Sequence, residues 1–193
     1  MEQERDIPIR ALAPAEALAE ARRATAGHER RWLAIVTGER GDGKTTWCAA
    51  LVEAARAGGL RVEGLLSPAV FEEGPEGRIK VRIDLVSLAE GGRRCLALPA
   101  KVGAGGLPLS WRFDEDAVAW GNGILARAGG GDLVLIDELG PLEFTYGGGF
   151  TEGLALLDAG RYRAAVVVIR PELLAEAQAR WPGAVVVRPP EWR

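Results

Sequence analysis

The chain has 193 residues, 48 % hydrophobic and 26 % charged, with a formal net charge of -3 at pH 7. That size suits one domain around a single core, and the balance excludes the disordered, collagenous and disulfide-rich secreted classes. No apolar run reaches the length of about 18 residues that spans a bilayer, and the opening Met1-Glu2-Gln3-Glu4-Arg5-Asp6 lacks a signal-peptide layout, so no membrane partner and a cytoplasmic location are expected. Cys48, Cys95 and the single His28 cannot assemble a zinc site or a disulfide framework. They read as reduced structural thiols and a solvated imidazole. An acidic balance without like-charge runs disfavours nucleic acid as a partner. Only Lys44, Lys80 and Lys101 are lysines among the 24 basic residues, which makes each lysine's position informative.

Residues 1–30 are alanine-rich and charged. After Pro14, Ala15 to Ala24 reads as a short helix with Ala17, Leu18 and Ala21 on one face, a peripheral appendage to a domain spanning 31–193. Trp32 to Thr37 is an apolar run suited to a strand covered on both faces. A helix follows from Lys44 to Arg56, closed by Gly58-Gly59, and then a strand from Arg61 to Leu66. Arg78 to Leu85 alternates charged and apolar residues, and with Arg93 to Leu98 it predicts an inserted antiparallel hairpin. Residues 99–110 are rich in Gly and Pro and read as a mobile loop. Asp114 is the expected N-cap of a helix running to Arg127. A hydrophobic strand, Leu133 to Ile136, then leads into Asp137-Glu138, and the rhythm continues with a helix near Phe150–Ala159, a strand Ala164–Ile169, a helix Pro171–Arg180 and a strand Ala184–Val187. The expected architecture is α/β: three layers, with a doubly wound, mostly parallel sheet and the inserted hairpin.

Two segments carry the chemistry. Gly38-Glu39-Arg40-Gly41-Asp42-Gly43-Lys44-Thr45-Thr46 fits the Walker A pattern between a strand and a helix, the context that pattern needs. Its glycines let backbone N-H groups curl around phosphate oxygens, Lys44 reaches the β- and γ-phosphates, and the Thr45 hydroxyl can ligate Mg²⁺. At the end of the Leu133 strand, Asp137 can hold Mg²⁺ and Glu138 can polarise an attacking water.

These residues, with Asp137-Glu138-Leu139-Gly140-Pro141-Leu142-Glu143 in the form DExGxxE, resemble the thermophile-type nucleoside-triphosphatase family, which includes cancer-related nucleoside triphosphatase. The resemblance covers residues 32–188 and implies a P-loop fold with an additional-strand arrangement and slow, Mg²⁺-dependent hydrolysis of nucleoside triphosphates. Lys44, Thr45, Asp137 and Glu138 carry over by position, and Glu143 matches the last acid of the motif. Pro141 stands where the family usually has lysine.

Arg170, directly after the Ala164–Ile169 strand, is the leading candidate for a cation at the γ-phosphate, with Arg40 and Arg112 as rivals. Trp111, Phe113 and Trp120 are either core or base-stacking residues, and Trp47 belongs to the core. Tyr146-Gly147-Gly148-Gly149-Phe150 reads equally as a flap over the nucleotide and as a plain connection. The expected activity is Mg²⁺-dependent conversion of a nucleoside triphosphate, ATP, GTP or both, to diphosphate and phosphate. The alternatives are a nucleotide-switched adapter or metallochaperone-type P-loop protein, and a small-molecule kinase. A protein partner, if one is used, would dock on the N-terminal helix.

Overall fold

The computed structural model describes residues 7–27, 30–74, 77–102 and 108–190. Within them the strands are β1 (Ile9–Ala11), β2 (Trp32–Val36), β3 (Val62–Leu66), β4 (Ala69–Gly74), β5 (Gly77–Ser87), β6 (Arg93–Val102), β7 (Pro108–Phe113), β8 (Leu133–Leu139), β9 (Ala164–Ile169) and β10 (Val185–Arg188). The helices are α1 (Pro14–Ala24), α2 (Lys44–Ala57), α3 (Glu115–Arg127), α4 (Pro141–Phe144), α5 (Thr151–Asp158) and α6 (Leu174–Arg180), the last preceded by a 3-10 turn at Pro171–Leu173.

All strands join one sheet in the order β1-β10-β2-β9-β8-β3-β5-β6-β7, with β4 paired to β5. From β1 to β3 the pairs are parallel, and from β3 onward they are antiparallel. β9 stands between β2 and β8, so one strand separates the strand before the phosphate loop from the strand carrying the two acids. This is the additional-strand arrangement that the resemblance implied.

Period-two alternation divides the central strands between two cores. Leu33 and Ile35 of β2, Val134 and Ile136 of β8, and Val167 and Ile169 of β9 meet α3, α5 and α6 through Leu125, Leu156 and Ala177. Ala34, Val36, Leu135, Val166 and Val168 meet α1 and α2 on the opposite face through Leu18, Trp47 and Leu51. Both faces are covered, which is why β2 reads as an unbroken apolar run. The helix starts follow local chemistry: Asp114 caps α3 by accepting from the Ala117 N-H at 2.8 Å, and α2 opens from Gly43 at φ 78°, a left-handed conformation that favours glycine.

Three departures from the sequence reading concern the margins. Ala17, Leu18 and Ala21 of α1 are buried against α2, β1 extends the sheet beside β10, and the Trp47 indole donates to the Leu12 carbonyl at 2.7 Å. The segment expected to be peripheral thus shares the main core. The expected hairpin is a four-stranded antiparallel wing, because Ala69–Gly74 and Pro108–Phe113 also pair. The expected loop 99–110 is in part strand: β6 runs through Pro99 and Lys101 with an irregular register against β7, while residues 103–107 lie outside the described residues. His28 lies outside them as well. No described helix is long and apolar enough to cross a membrane.

Candidate active site

The phosphate loop closes on itself. Asp42 accepts from the Glu39 N-H at 2.7 Å, and the Glu39 carbonyl accepts from the Asp42 N-H at 3.2 Å. Gly38, Gly41 and Gly43 all have positive φ, at 145°, 100° and 78°. A side chain at Gly38 would press on the Asp42 carboxylate. Lys44 donates to the carbonyls of Gly38 at 2.6 Å and Glu39 at 2.7 Å, so its ammonium spans the mouth of the loop. Among the described residues no carboxylate pairs with it.

The second segment arrives from β8. The Thr45 hydroxyl donates to Asp137 Oδ1 at 3.3 Å across 92 positions of sequence, so the glycine loop and the acid pair face each other. Asp137 Oδ2 accepts from the Ser67 N-H at 3.0 Å, at the end of β3. Asp137 is only 4 % exposed, and burial pushes its carboxyl up from 3.8 to about 6, against the opposing pull of its bonds to Ser67 and Thr45. A carboxylate held this way is short of positive charge.

A bulge falls at the two acids. Ile136 pairs with Val167 and Leu139 with Ile169, which gives β8 one residue more than β9 over this stretch. Leu139 consequently packs on the same face as Val134 and Ile136, which strict alternation forbids. Asp137 turns toward Thr45 on the α2 side, whereas Glu138 accepts a short hydrogen bond from Arg170 Nε. Arg170 follows β9, the strand between the two motif strands, and that position lets it reach the acid. Its partner in this structure is the water-polarising candidate.

Glu143 is 8 % exposed and accepts from the N-H groups of Gly140 and Phe150, each at 2.7 Å. Burial raises its proton affinity and these backbone bonds lower it. Asn122 adds two bonds, donating to the Gly149 carbonyl at 2.8 Å and accepting from the Glu152 N-H at 3.0 Å. The stretch Tyr146–Phe150 is therefore a tethered connection. The last acid of the motif secures the turn after Asp137-Glu138.

Among the other candidates, Arg40 is exposed on the loop and Thr46 is exposed on the first turn of α2. Arg112 neighbours Trp111 on β7 and so points to the opposite face of that strand. Trp111 lies under the Lys80 ammonium at 4.9 Å, Trp120 lies under Arg94, and Phe113 is exposed. Trp47 is fully buried, as expected. Cys48, behind Asp137 and Lys44 on α2, is buried with its thiol pushed well above its ordinary range, so it is inert packing. Sequence reasoning missed Ser67, which acts through its backbone, and Lys80, whose only signal was the scarcity of lysine.

The profile of the NTPase family matches residues 34–180, a span that holds the phosphate loop, the acid pair and Arg170. The chain belongs to the NTPase family. Three proteins named nucleoside-triphosphatase THEP1 are similar to this NTPase-family chain. That of Caldivirga maquilingensis is 33 % identical over 112 residues, 58 % of this chain and 61 % of the relative. That of Thermofilum pendens is 36 % identical over 113 residues, 56 % and 58 % of the two chains. That of Ignicoccus hospitalis is 34 % identical over 112 residues, 58 % and 61 %. The aligned part thus spans about three-fifths of these relatives. The solution structure of a human cancer-related nucleoside triphosphatase has the same fold, with a TM-score of 0.58 at 21 % identity over 83 % of this chain and 89 % of that one.

Proposed function

We propose that this NTPase-family protein hydrolyses ATP, GTP or both to the diphosphate and inorganic phosphate, with Mg²⁺ as cofactor. The observation that carries the reading is the Thr45 to Asp137 hydrogen bond, which joins the loop to the acid strand, with Glu138 beside it on the same sheet edge. The names of the relatives point the same way.

The donor set suits the cation. Thr45 and Asp137 offer hard oxygen ligands, and among the described residues the hydroxyl of Ser67, whose N-H bonds Asp137, is buried without a hydrogen-bond partner. Among the described residues no cluster of three or more His, Cys, Asp or Glu could form a protein cage. Mg²⁺ needs none, because it is usually held by one or two carboxylates together with substrate phosphates. Bound there it would neutralise charge on the phosphate oxygens. The remaining work falls to the chain. Backbone N-H groups of residues 41–46 and the start of α2 cradle the phosphates. Lys44 exchanges its two carbonyl partners for phosphate oxygens. Glu138 orients a water and takes its proton as the new oxygen-phosphorus bond forms and the bridge to the β-phosphate breaks. Arg170 sets the position of the Glu138 carboxylate and approaches the γ-phosphate from the end of β9.

Phosphate release from the purified protein with Mg²⁺ and each common nucleoside triphosphate tests this. Glu138→Gln is expected to lower kcat by about 10²-fold or more while nucleotide still binds, and Lys44→Ala to lose binding as well. Absence of phosphate release from every nucleotide, or a Glu138→Gln protein as fast as the wild type, would refute hydrolysis.

A further inference from the structure

The antiparallel wing has no task in the reading above, yet the topology directs part of it at the reacting end of the site. β3 ends at Leu66 on the same sheet edge as the phosphate loop, and β5 runs antiparallel to it, with Val86 opposite Leu66 and Ser87 opposite Leu65. The residues of β5 before Val86 must therefore extend past that edge, on the nucleotide side. An irregularity at Ile83–Asp84 interrupts the register of β5 against β6, and another at Val70–Phe71 interrupts β4 against β5. Such bulges bend strands. Asp84, 1 % exposed, fixes the base of the wing by accepting from Arg82 at 2.7 Å and Arg93 at 3.1 Å.

Lys80 lies on the projecting part of β5. Its ammonium rests 4.9 Å from the centre of the Trp111 ring, and among the described residues it forms no ion pair and no hydrogen bond to a side chain. An aromatic face holds a cation in place without cancelling its charge. Burial and the charge of Arg40 lower its proton affinity most, Arg170 adds to that, and Glu138 and Asp137 oppose it. One of these groups is on the loop, two are the motif acids and one ends β9, so Lys80 stands within the site's own field. Two of the nearby cations are already engaged, Lys44 with its loop carbonyls and Arg170 with Glu138.

The geometry points to Lys80 as a further catalytic residue: carried on the antiparallel wing and seated on Trp111, its ammonium contacts the terminal phosphate and stabilises the charge on it during transfer. It makes and breaks no covalent bond. The kinetic part of this inference rests on the hydrolysis reading, but the phosphate contact can be measured without turnover.

The experiment compares wild type, Lys80→Met and Lys80→Arg, with circular dichroism melts as a folding check. It measures phosphate release, and calorimetric affinities for the β,γ-imido triphosphates and the diphosphates of adenosine and guanosine. Lys80→Met is expected to lower kcat by about 10²-fold, as for loss of one transition-state donor. It should weaken the imido triphosphate about 10-fold, leave the diphosphate within about 2-fold, and be largely rescued by arginine, which keeps the charge. Unchanged turnover with an unchanged triphosphate-to-diphosphate ratio overturns the assignment. So does an equal loss of both nucleotides, which would mark a structural role. A wild type that binds nucleotide but releases no phosphate sinks the hydrolysis reading alone, and the affinity ratio still decides Lys80.

Discussion

Replacing Asp137 by Asn should stabilise the protein while disabling it. The amide preserves both local bonds, its oxygen accepting from the Ser67 N-H and its NH₂ donating to the Thr45 hydroxyl. What disappears is a buried charge. With its pKa raised from 3.8 to about 6, the folded state binds the Asp137 proton more tightly than the unfolded chain does. The stability that Asp137 contributes is thus fully present below about pH 4, is lost as the pH rises to about 6, and stays absent above that, a shift worth about 3 kcal/mol. Asparagine has no such titration, and the remaining groups are common to both proteins and cancel in the difference. Urea midpoints in EDTA across the range from about pH 4 to about pH 8 should show the variant gaining about 2 to 3 kcal/mol on the wild type as pH increases, or several degrees in Tm. Added Mg²⁺ should narrow the gap by stabilising only the carboxylate. A stability difference flat with pH, or a variant weaker than wild type at pH 8, would show that burial does not control this acid.

Two further substitutions probe the frame around the acids. Glu143→Ala leaves the Gly140 and Phe150 N-H groups without their acceptor, and should cost about 2 to 4 kcal/mol by urea unfolding and also lower kcat, because Gly140 closes the turn after Glu138. Gly64→Ala places a methyl group against the Leu135 carbonyl at a residue with φ of 104°, so a loss of at least about 3 kcal/mol, read as a Tm drop or insoluble expression, is expected.

The phosphate loop, the acid pair and the positions of the buried strands along the chain were legible because each depends on local chemistry, glycines beside a lysine or apolar runs ending in acids, whereas the additional-strand arrangement came only from the family resemblance. The wing was only half legible. Arg78–Leu85 alternates cleanly, but Ala69–Gly74 and Pro108–Phe113 gain their strand character from partners already in place, and glycine and proline nearby point to a loop when taken alone. Ile9–Ala11 is too short for any periodicity and exists as a strand because β10 offers it an edge. In the site, alternation along β8 is enough to turn Asp137 to the Leu135 face and so toward α2, whereas the bulge that returns Leu139 to the Ile136 face is something no spacing in one strand reveals. Ser67 serves Asp137 through an amide hydrogen that every residue but proline has, so that bond leaves no signal in the sequence. Lys80 is placed by a turn of topology, and the neighbours that give it meaning, Trp111, Arg40 and Glu138, are 31 or more residues away in sequence.

Because β9 lies between the loop strand and the acid strand, the spacing of the two strands that carry the site is a ruler made of main chain. Two inter-strand spacings amount to about 10 Å. Ladder hydrogen bonds hold that distance whatever side chains β9 carries, so Ala164 to Ile169 can drift within the limits of packing without detuning the chemistry. Arg170 travels at the tip of the same ruler, and the distance it measures and the group it delivers are inherited together.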